Sequence, residues 1–91
     1  MKRVVITGLG AITPVGMGKD NFWDSLILGK SGIAPITKFN TDEFDSKIAG
    51  EVKDFIPEDF LNKKEAKRMD RFAQFTVAAS KLALDDGNVS L

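Results

Sequence analysis

The chain has 91 residues, in which 13 Lys and Arg balance 13 Asp and Glu, and it contains neither cysteine nor histidine. Their absence excludes disulfides, thiolate nucleophiles, Cys/His metal sites and Ser-His catalytic arrangements from the chain itself. Zero net charge gives no overall field favouring nucleic acid or an anionic membrane, and no run approaches the ~20 apolar residues of a membrane span. The lack of cysteine favours a cytoplasmic protein.

The first predicted element is a strand near the N-terminus. Val4, Val5 and Ile6 form a β-branched run that leads into a glycine-containing turn at residues 7–10. Such a run is typical of a strand buried on both faces, which needs parallel neighbours. No second run of comparable apolarity follows, so we expect this chain to be the N-terminal part of a larger protein. A solvated run in the structure would count against this inference.

A helix is predicted at residues 19–28. Its large apolar side chains share one face, and Gly29 stands where a left-handed C-terminal cap is expected. These side chains belong to Phe22, Trp23, Leu26 and Ile27.

Two short extended pieces follow. Residues 32–37 contain Pro35, which favours an edge strand or a loop. Residues 47–52 alternate so that Ile48, Gly50 and Val52 share one side, which predicts a peripheral, half-buried strand.

The C-terminal part is predicted to be helical. Pro57 favours a short helical turn, and three- and four-residue apolar spacing predicts one long helix over residues 63–86 that ends at Gly87. Small residues along it would let another backbone approach closely. These are Ala73, Thr76, Ala79, Ser80 and Ala83. The order of elements indicates an α/β layered fold.

One interpretation of the glycine turn is a nucleotide-binding loop. Thr13 stands where the third glycine of the dinucleotide fingerprint would fall, and no acid lies at the position expected for the ribose contact. The favoured interpretation is that Gly8 and Gly10 let the chain turn against close neighbours.

One interpretation of the acidic stretch is a calcium-binding loop. Phe44 occupies a required ligand position, so a solvated loop is favoured and no metal site is predicted. The acids concerned are Asp42, Glu43, Asp45 and Glu51.

Residues 63–71 carry five cations and two anions, whereas residues 41–62 carry seven acids and two bases. This segregation could form a one-sided patch, although charge alone favours an ordinary solvated helix face. No serine has a histidine to accept its proton, so we expect no catalysis from the chain by itself.

Four ordered motifs resemble the N-terminal portion of the β-ketoacyl-[acyl-carrier-protein] synthases, most closely the synthase II type. They are KRVVITGLGAITPVG at residues 2–16, the helix with Phe22-Trp23 leading to GKSGI at residues 29–33, KIAGEV at residues 47–52, and KRMDRFAQ at residues 67–74. The resemblance covers the whole chain.

The resemblance implies an incomplete N-terminal part of a thiolase-like, five-layered α-β-α-β-α fold. Residues 1–91 would form the N-terminal segment of its first half, truncated before the catalytic residues. The parent would be a homodimeric acyltransferase of fatty acid elongation that performs decarboxylative condensation and needs no cofactor. The family's cysteine and histidines would lie beyond Leu91, so no catalytic residue is assigned here.

We expect Met69, Phe72 and Phe75 to be core residues rather than an acyl-tunnel lining.

The resemblance also implies a partner for the basic cluster. In the synthase II type, basic residues before the Met-Asp pair contact the acidic acyl carrier protein, and the matching positions are Lys64, Lys67 and Arg68. Two alternatives stay open: a truncated nucleotide-binding dehydrogenase, and a stand-alone interaction module that uses its basic helix.

Overall fold

The computed structural model describes residues 2–89. It combines helices with two small antiparallel sheets, so the predicted mixture of helix and strand is confirmed. In chain order the elements are β1 (Ile12–Thr13), β2 (Gly16–Met17), α1 (Lys19–Leu28), β3 (Ile33–Pro35), β4 (Ile48–Gly50), a 3₁₀ turn (Pro57–Asp59), α2 (Lys63–Arg68) and α3 (Arg71–Asp86).

The predicted strand at Val4, Val5 and Ile6 is not observed. These residues belong to no strand, and their side chains are 96%, 73% and 83% exposed. A strand requires hydrogen-bonded neighbours, and within residues 2–89 no segment pairs with this run. The apolar run therefore lies uncovered on the surface.

The first hairpin turns the chain back towards α1. Ile12 pairs with Met17, and Thr13 pairs with Gly16. The Thr13 hydroxyl donates to the Gly16 carbonyl at 2.8 Å and accepts from the Val15 amide at 3.2 Å, which fixes the tight turn. This hairpin was not predicted, because its strands are too short to give a periodic signal.

Helix α1 has the predicted bounds and the predicted cap. Gly29 adopts the left-handed conformation, with φ 70° and ψ 28°. Its apolar face is nevertheless open, since Trp23 is 61% exposed and Ile27 is 66% exposed. The buried member of α1 is Ser25, whose hydroxyl donates to the Val15 carbonyl at 2.6 Å.

The second hairpin confirms both predicted short extended pieces. Pro35 pairs with Ile48 in a two-stranded sheet, where proline is tolerated because every strand is an edge. The strand is half-buried as predicted: Ala49 is half-buried, whereas Ile48 and Gly50 are exposed. No other described strand lies beside this hairpin, so nothing in this sheet covers Ile48.

The predicted long helix is divided into α2 and α3. Met69 is extended, with φ −103° and ψ 138°, and Asp70 occupies the N-cap position of α3. The Gln74 side-chain amide donates to the Ala66 carbonyl at 2.9 Å and to the Met69 carbonyl at 3.4 Å, which satisfies carbonyls freed by the break. Gly87 follows the last helical residue, as predicted.

The hydrophobic core is small and lies in the C-terminal half. Its buried apolar members are Phe55, Leu61, Ala66 and Ala78. The accessible surface is 7337 Å², compared with about 5,200 Å² for a folded monomer of this mass. The radius of gyration is 16.0 Å, compared with about 12 Å for a compact domain of this length. Much apolar surface is therefore left uncovered by the chain itself.

Candidate functional site

Three of the four exposed cations of α2 form the candidate site. We call Lys64, Lys67 and Arg68 the basic face. Asn62 begins the helix by accepting a hydrogen bond from the Glu65 amide at 2.8 Å. All three cations are exposed, and within residues 2–89 none of them forms an ion pair. Their charge is consequently available to an external anionic partner.

Three aromatic rings, which we call the aromatic platform, cluster in the C-terminal half of the chain: Phe55, Phe60 and Phe75. The Phe55 ring stacks on Phe60 with centroids 5.8 Å apart and meets Phe75 edge-on at 5.0 Å. Phe55 is only 6% exposed. The Lys81 ammonium donates to the Phe60 carbonyl and ties α3 to this platform. The short helix α2 contacts the 3₁₀ turn that leads into Phe60, and its Ala66 is buried in the core.

Arg71 contacts the same platform from the first residue of α3. Its guanidinium carbon lies 4.9 Å from the Phe55 ring centroid and 5.1 Å from that of Phe75. Both distances are within the range of a cation–π interaction. Sequence reasoning counted Arg71 among the five cations but did not identify this contact, because the rings come from distant positions. Phe75 is half-buried as the core prediction requires, whereas Phe72 is 72% exposed and that part of the prediction is wrong.

The two glycines of the N-terminal turn lie against the backbone of α3. A Cβ on Gly8 would stand 2.2 Å from the Ala83 carbonyl oxygen, and a Cβ on Gly10 would stand 2.0 Å from that of Ala79. These contacts confirm that small residues of α3 admit a close backbone. The glycines thus face a helix, and the space of a phosphate-binding loop is filled by protein.

Asp86 joins three parts of the chain at the same junction. One carboxylate oxygen accepts from the Leu9 amide at 2.9 Å, and the other lies 2.7 Å from the Lys19 ammonium. The Lys19 and Leu9 contacts hold the pKa of Asp86 below its ordinary value, and the same carboxylate raises the pKa of Lys19. Sequence reasoning missed Asp86, because no local pattern links residues 77 positions apart.

One carboxylate of the acidic stretch has a structural role. Glu51 accepts from the Thr37 hydroxyl at 2.8 Å and from the Thr37 and Lys38 amides. These hydrogen bonds, led by the Thr37 hydroxyl, hold the pKa of Glu51 below its ordinary value. Across the described part of the chain, no group of three potential metal-ligating side chains is found.

None of the helices within residues 2–89 combines the length and the apolar character required to cross a membrane.

Comparison with known proteins gives matches along the whole chain. The model of the β-ketoacyl synthase N-terminal domain matches residues 1–91. A 3-oxoacyl-[acyl-carrier-protein] synthase 2 from Synechocystis is 51% identical over 88 residues, which cover 97% of this chain and 21% of the relative. The protein of the same name from Staphylococcus aureus is 42% identical over 90 residues, covering 99% of this chain and 22% of the relative.

A solved structure gives the same result. The ishigamide ketosynthase/chain length factor superposes with a TM-score of 0.90 at 38% identity, covering 98% of this chain and 22% of that one. The chain therefore spans about a fifth of the length of the proteins it matches. These matches overturn the dehydrogenase alternative, and the chain belongs to the β-ketoacyl synthase family, matching its N-terminal domain.

Proposed function

We propose that this chain is the N-terminal segment of a β-ketoacyl-[acyl-carrier-protein] synthase of the synthase II type. The observation that carries the proposal is the match of the whole chain to relatives named 3-oxoacyl-[acyl-carrier-protein] synthase 2, at 51% and 42% identity. The complete enzyme would be a cytoplasmic, homodimeric acyltransferase of fatty acid elongation.

The proposed reaction is a decarboxylative condensation. Malonyl-carrier loses carbon dioxide, and the resulting carbanion attacks the carbonyl carbon of an acyl thioester on a cysteine. A carbon–carbon bond forms, the carbon–sulfur bond breaks, and the cysteine leaves as a thiolate. This chain contains no cysteine, so the nucleophile must come from sequence outside it.

We further propose that residues 1–91 belong to the first half of a five-layered thiolase-like fold. The exposure of Val4–Ile6 counts against a strand covered by this chain alone. The same exposure, together with the 7337 Å² of accessible surface, fits an apolar run that is covered by strands from later sequence.

The chain's own contribution would be to capture the carrier protein. Lys64, Lys67 and Arg68 are exposed, lie on one short helix and form no ion pair within residues 2–89. An acidic carrier would be attracted to such charges, which mainly increase the association rate and weaken as salt rises. The supporting geometry is the burial of Ala66 and the Gln74 hydrogen bond to its carbonyl, which hold α2 in place.

The test is charge reversal of Lys64, Lys67 and Arg68 to Glu in the complete synthase that contains residues 1–91. We expect condensation by the parent, and in the variant a KM for carrier-bound substrate raised by about tenfold or more, with a weaker dependence on salt. Kinetics are followed by formation of the β-ketoacyl product at low and high ionic strength.

The matched control reverses Lys30, Lys38 and Lys53, which are exposed cations outside α2. It changes the total charge equally, so its KM should stay close to that of the parent. Unchanged kinetics of the α2 variant at low salt would refute carrier docking, and a parent without condensation activity would refute the proposed reaction.

A further inference from the structure

We infer that Arg71 is a separate, pre-organised anchor for a carboxylate of the acidic carrier protein. The inference rests on the proposed carrier docking and extends it beyond α2 to the first residue of α3. It differs from the contribution of the basic face in kind, because Arg71 is held by rings whereas the basic-face side chains are not.

The first observation is the restraint on the Arg71 side chain. Its guanidinium carbon lies 4.9 Å from the Phe55 centroid and 5.1 Å from the Phe75 centroid. Phe55 is buried and itself contacts Phe60 and Phe75, so the rings are fixed in the core. A guanidinium held in this way loses less conformational entropy on binding than a free lysine does.

The second observation is that the donors of Arg71 are unused. The residue is exposed, and within residues 2–89 its side chain makes no hydrogen bond and no ion pair. A cation–π contact engages the face of the guanidinium and leaves the N–H groups along its edge. These groups form a planar fork that matches a carboxylate with two parallel hydrogen bonds.

The third observation is the position of Arg71 beside the basic face. Three peptide units separate it from Arg68, so the two Cα atoms are at most about 11 Å apart. The intervening corner is held by the Gln74 side-chain amide of α3, which donates to the carbonyl of Ala66 in α2 and to that of Met69 in the break. One acidic surface can therefore meet Arg71 and the end of α2 together.

Charge complementarity indicates which kind of protein binds at the corner between α2 and α3. The corner combines Arg71 with the three cations of the basic face, none of which is paired within the described residues. A partner surface rich in Asp and Glu, as expected of the carrier, would be attracted to the cations of α2. One of its carboxylates would accept two hydrogen bonds from the Arg71 guanidinium.

The test compares Arg71→Lys and Arg71→Met in the complete synthase, with Lys30→Met as a matched single-charge control. Each is assayed with an acyl group on the carrier protein and with the same group on pantetheine. We expect Arg71→Met to raise the KM for the carrier-bound substrate by about tenfold and Arg71→Lys by about threefold, because lysine keeps the charge and loses the fork. The KM for the pantetheine substrate should not change.

The outcomes separate this inference from the docking proposal. Equal effects on both substrates, or a lowered Tm with an unchanged KM ratio, would mean that Arg71 only braces the rings and would overturn the inference. If reversal of the basic face raises the KM while both Arg71 variants behave as the parent, docking stands and Arg71 has no part in it. If the Arg71 variants alone raise the KM, Arg71 is supported and the docking role of the basic face fails.

Discussion

The N-terminal run and the aromatic platform are both rich in large apolar side chains, yet they differ in solvent exposure. Val4, Val5 and Ile6 are between 73% and 96% exposed, whereas Phe55 is 6% exposed. The platform receives its partners from within the chain, since its rings lie at positions 55, 60 and 75. The run receives none from within residues 2–89. Burial therefore reflects where the partners of a segment are encoded, and hydrophobicity alone does not decide it.

The largest expected effect comes from removing the centre of the platform. Phe55→Ala should cost about 3–5 kcal/mol, because it removes a buried ring that contacts Phe60, Phe75 and Arg71. We expect the 91-residue chain to lose most of its helical circular dichroism signal. The matched change in the other region, Val5→Ala, should alter stability by less than about 0.5 kcal/mol. If both variants lowered the free energy of unfolding by a similar amount, the contrast between the platform and the N-terminal run would be wrong.

A smaller effect is expected where the two regions of the chain meet. Gly10→Ala places a methyl group 2.0 Å from the Ala79 carbonyl oxygen, so the N-terminal segment must move away from α3. We expect a cost of about 1–3 kcal/mol, measured from urea unfolding. Gly29→Asn is the control: the space around its Cβ is open, and asparagine tolerates the left-handed conformation. An equal loss from the control would show that the contact with α3 is unimportant.

The smallest effect concerns the hydrogen bond from Leu9 to Asp86. The pKa of Asp86 is lowered from its ordinary value of 3.8, so its carboxylate stabilises the fold at neutral pH. This contribution should begin to fall near pH 3.8 and disappear below the lower pKa of the folded state. The protection of the Leu9 amide against hydrogen exchange should decrease over the same range, after correction for the intrinsic rate.

The variant Asp86→Asn should show reduced Leu9 protection already at neutral pH, because a neutral amide accepts more weakly and cannot pair with Lys19. Asp85→Asn changes the neighbouring exposed carboxylate and should leave Leu9 unaffected. Identical protection in both variants would mean that Asp86 does not hold the N-terminal segment.

Sequence reasoning succeeded where the determinants are local. Helix α1 and its Gly29 cap were predicted because the apolar spacing and the glycine lie within one short stretch. The break before α3 was not predicted, since apolar spacing continues through Met69 and the Gln74 hydrogen bonds that stabilise the corner depend on the folded backbone.

The candidate site divides in the same way. The basic face was visible as a charge cluster, whereas the contact of Arg71 with the aromatic platform required Phe55 and Phe75 to meet across the fold. The exposure of residues 4–6 could not be predicted from their composition. A β-branched run has the same sequence whether or not neighbouring strands are present to cover it.

The carboxylate of Glu51 has one more consequence, for protein engineering. Glu51 follows β4 and accepts hydrogen bonds from Thr37 and Lys38. These bonds close the surface loop that runs from Lys38 to the start of β4. Extra residues inserted near Asp42 to Asp45, all exposed, would lengthen a closed surface loop at little entropic cost. A small fluorescent tag could therefore be placed there to test the proposed carrier capture while the basic helix remains unaltered.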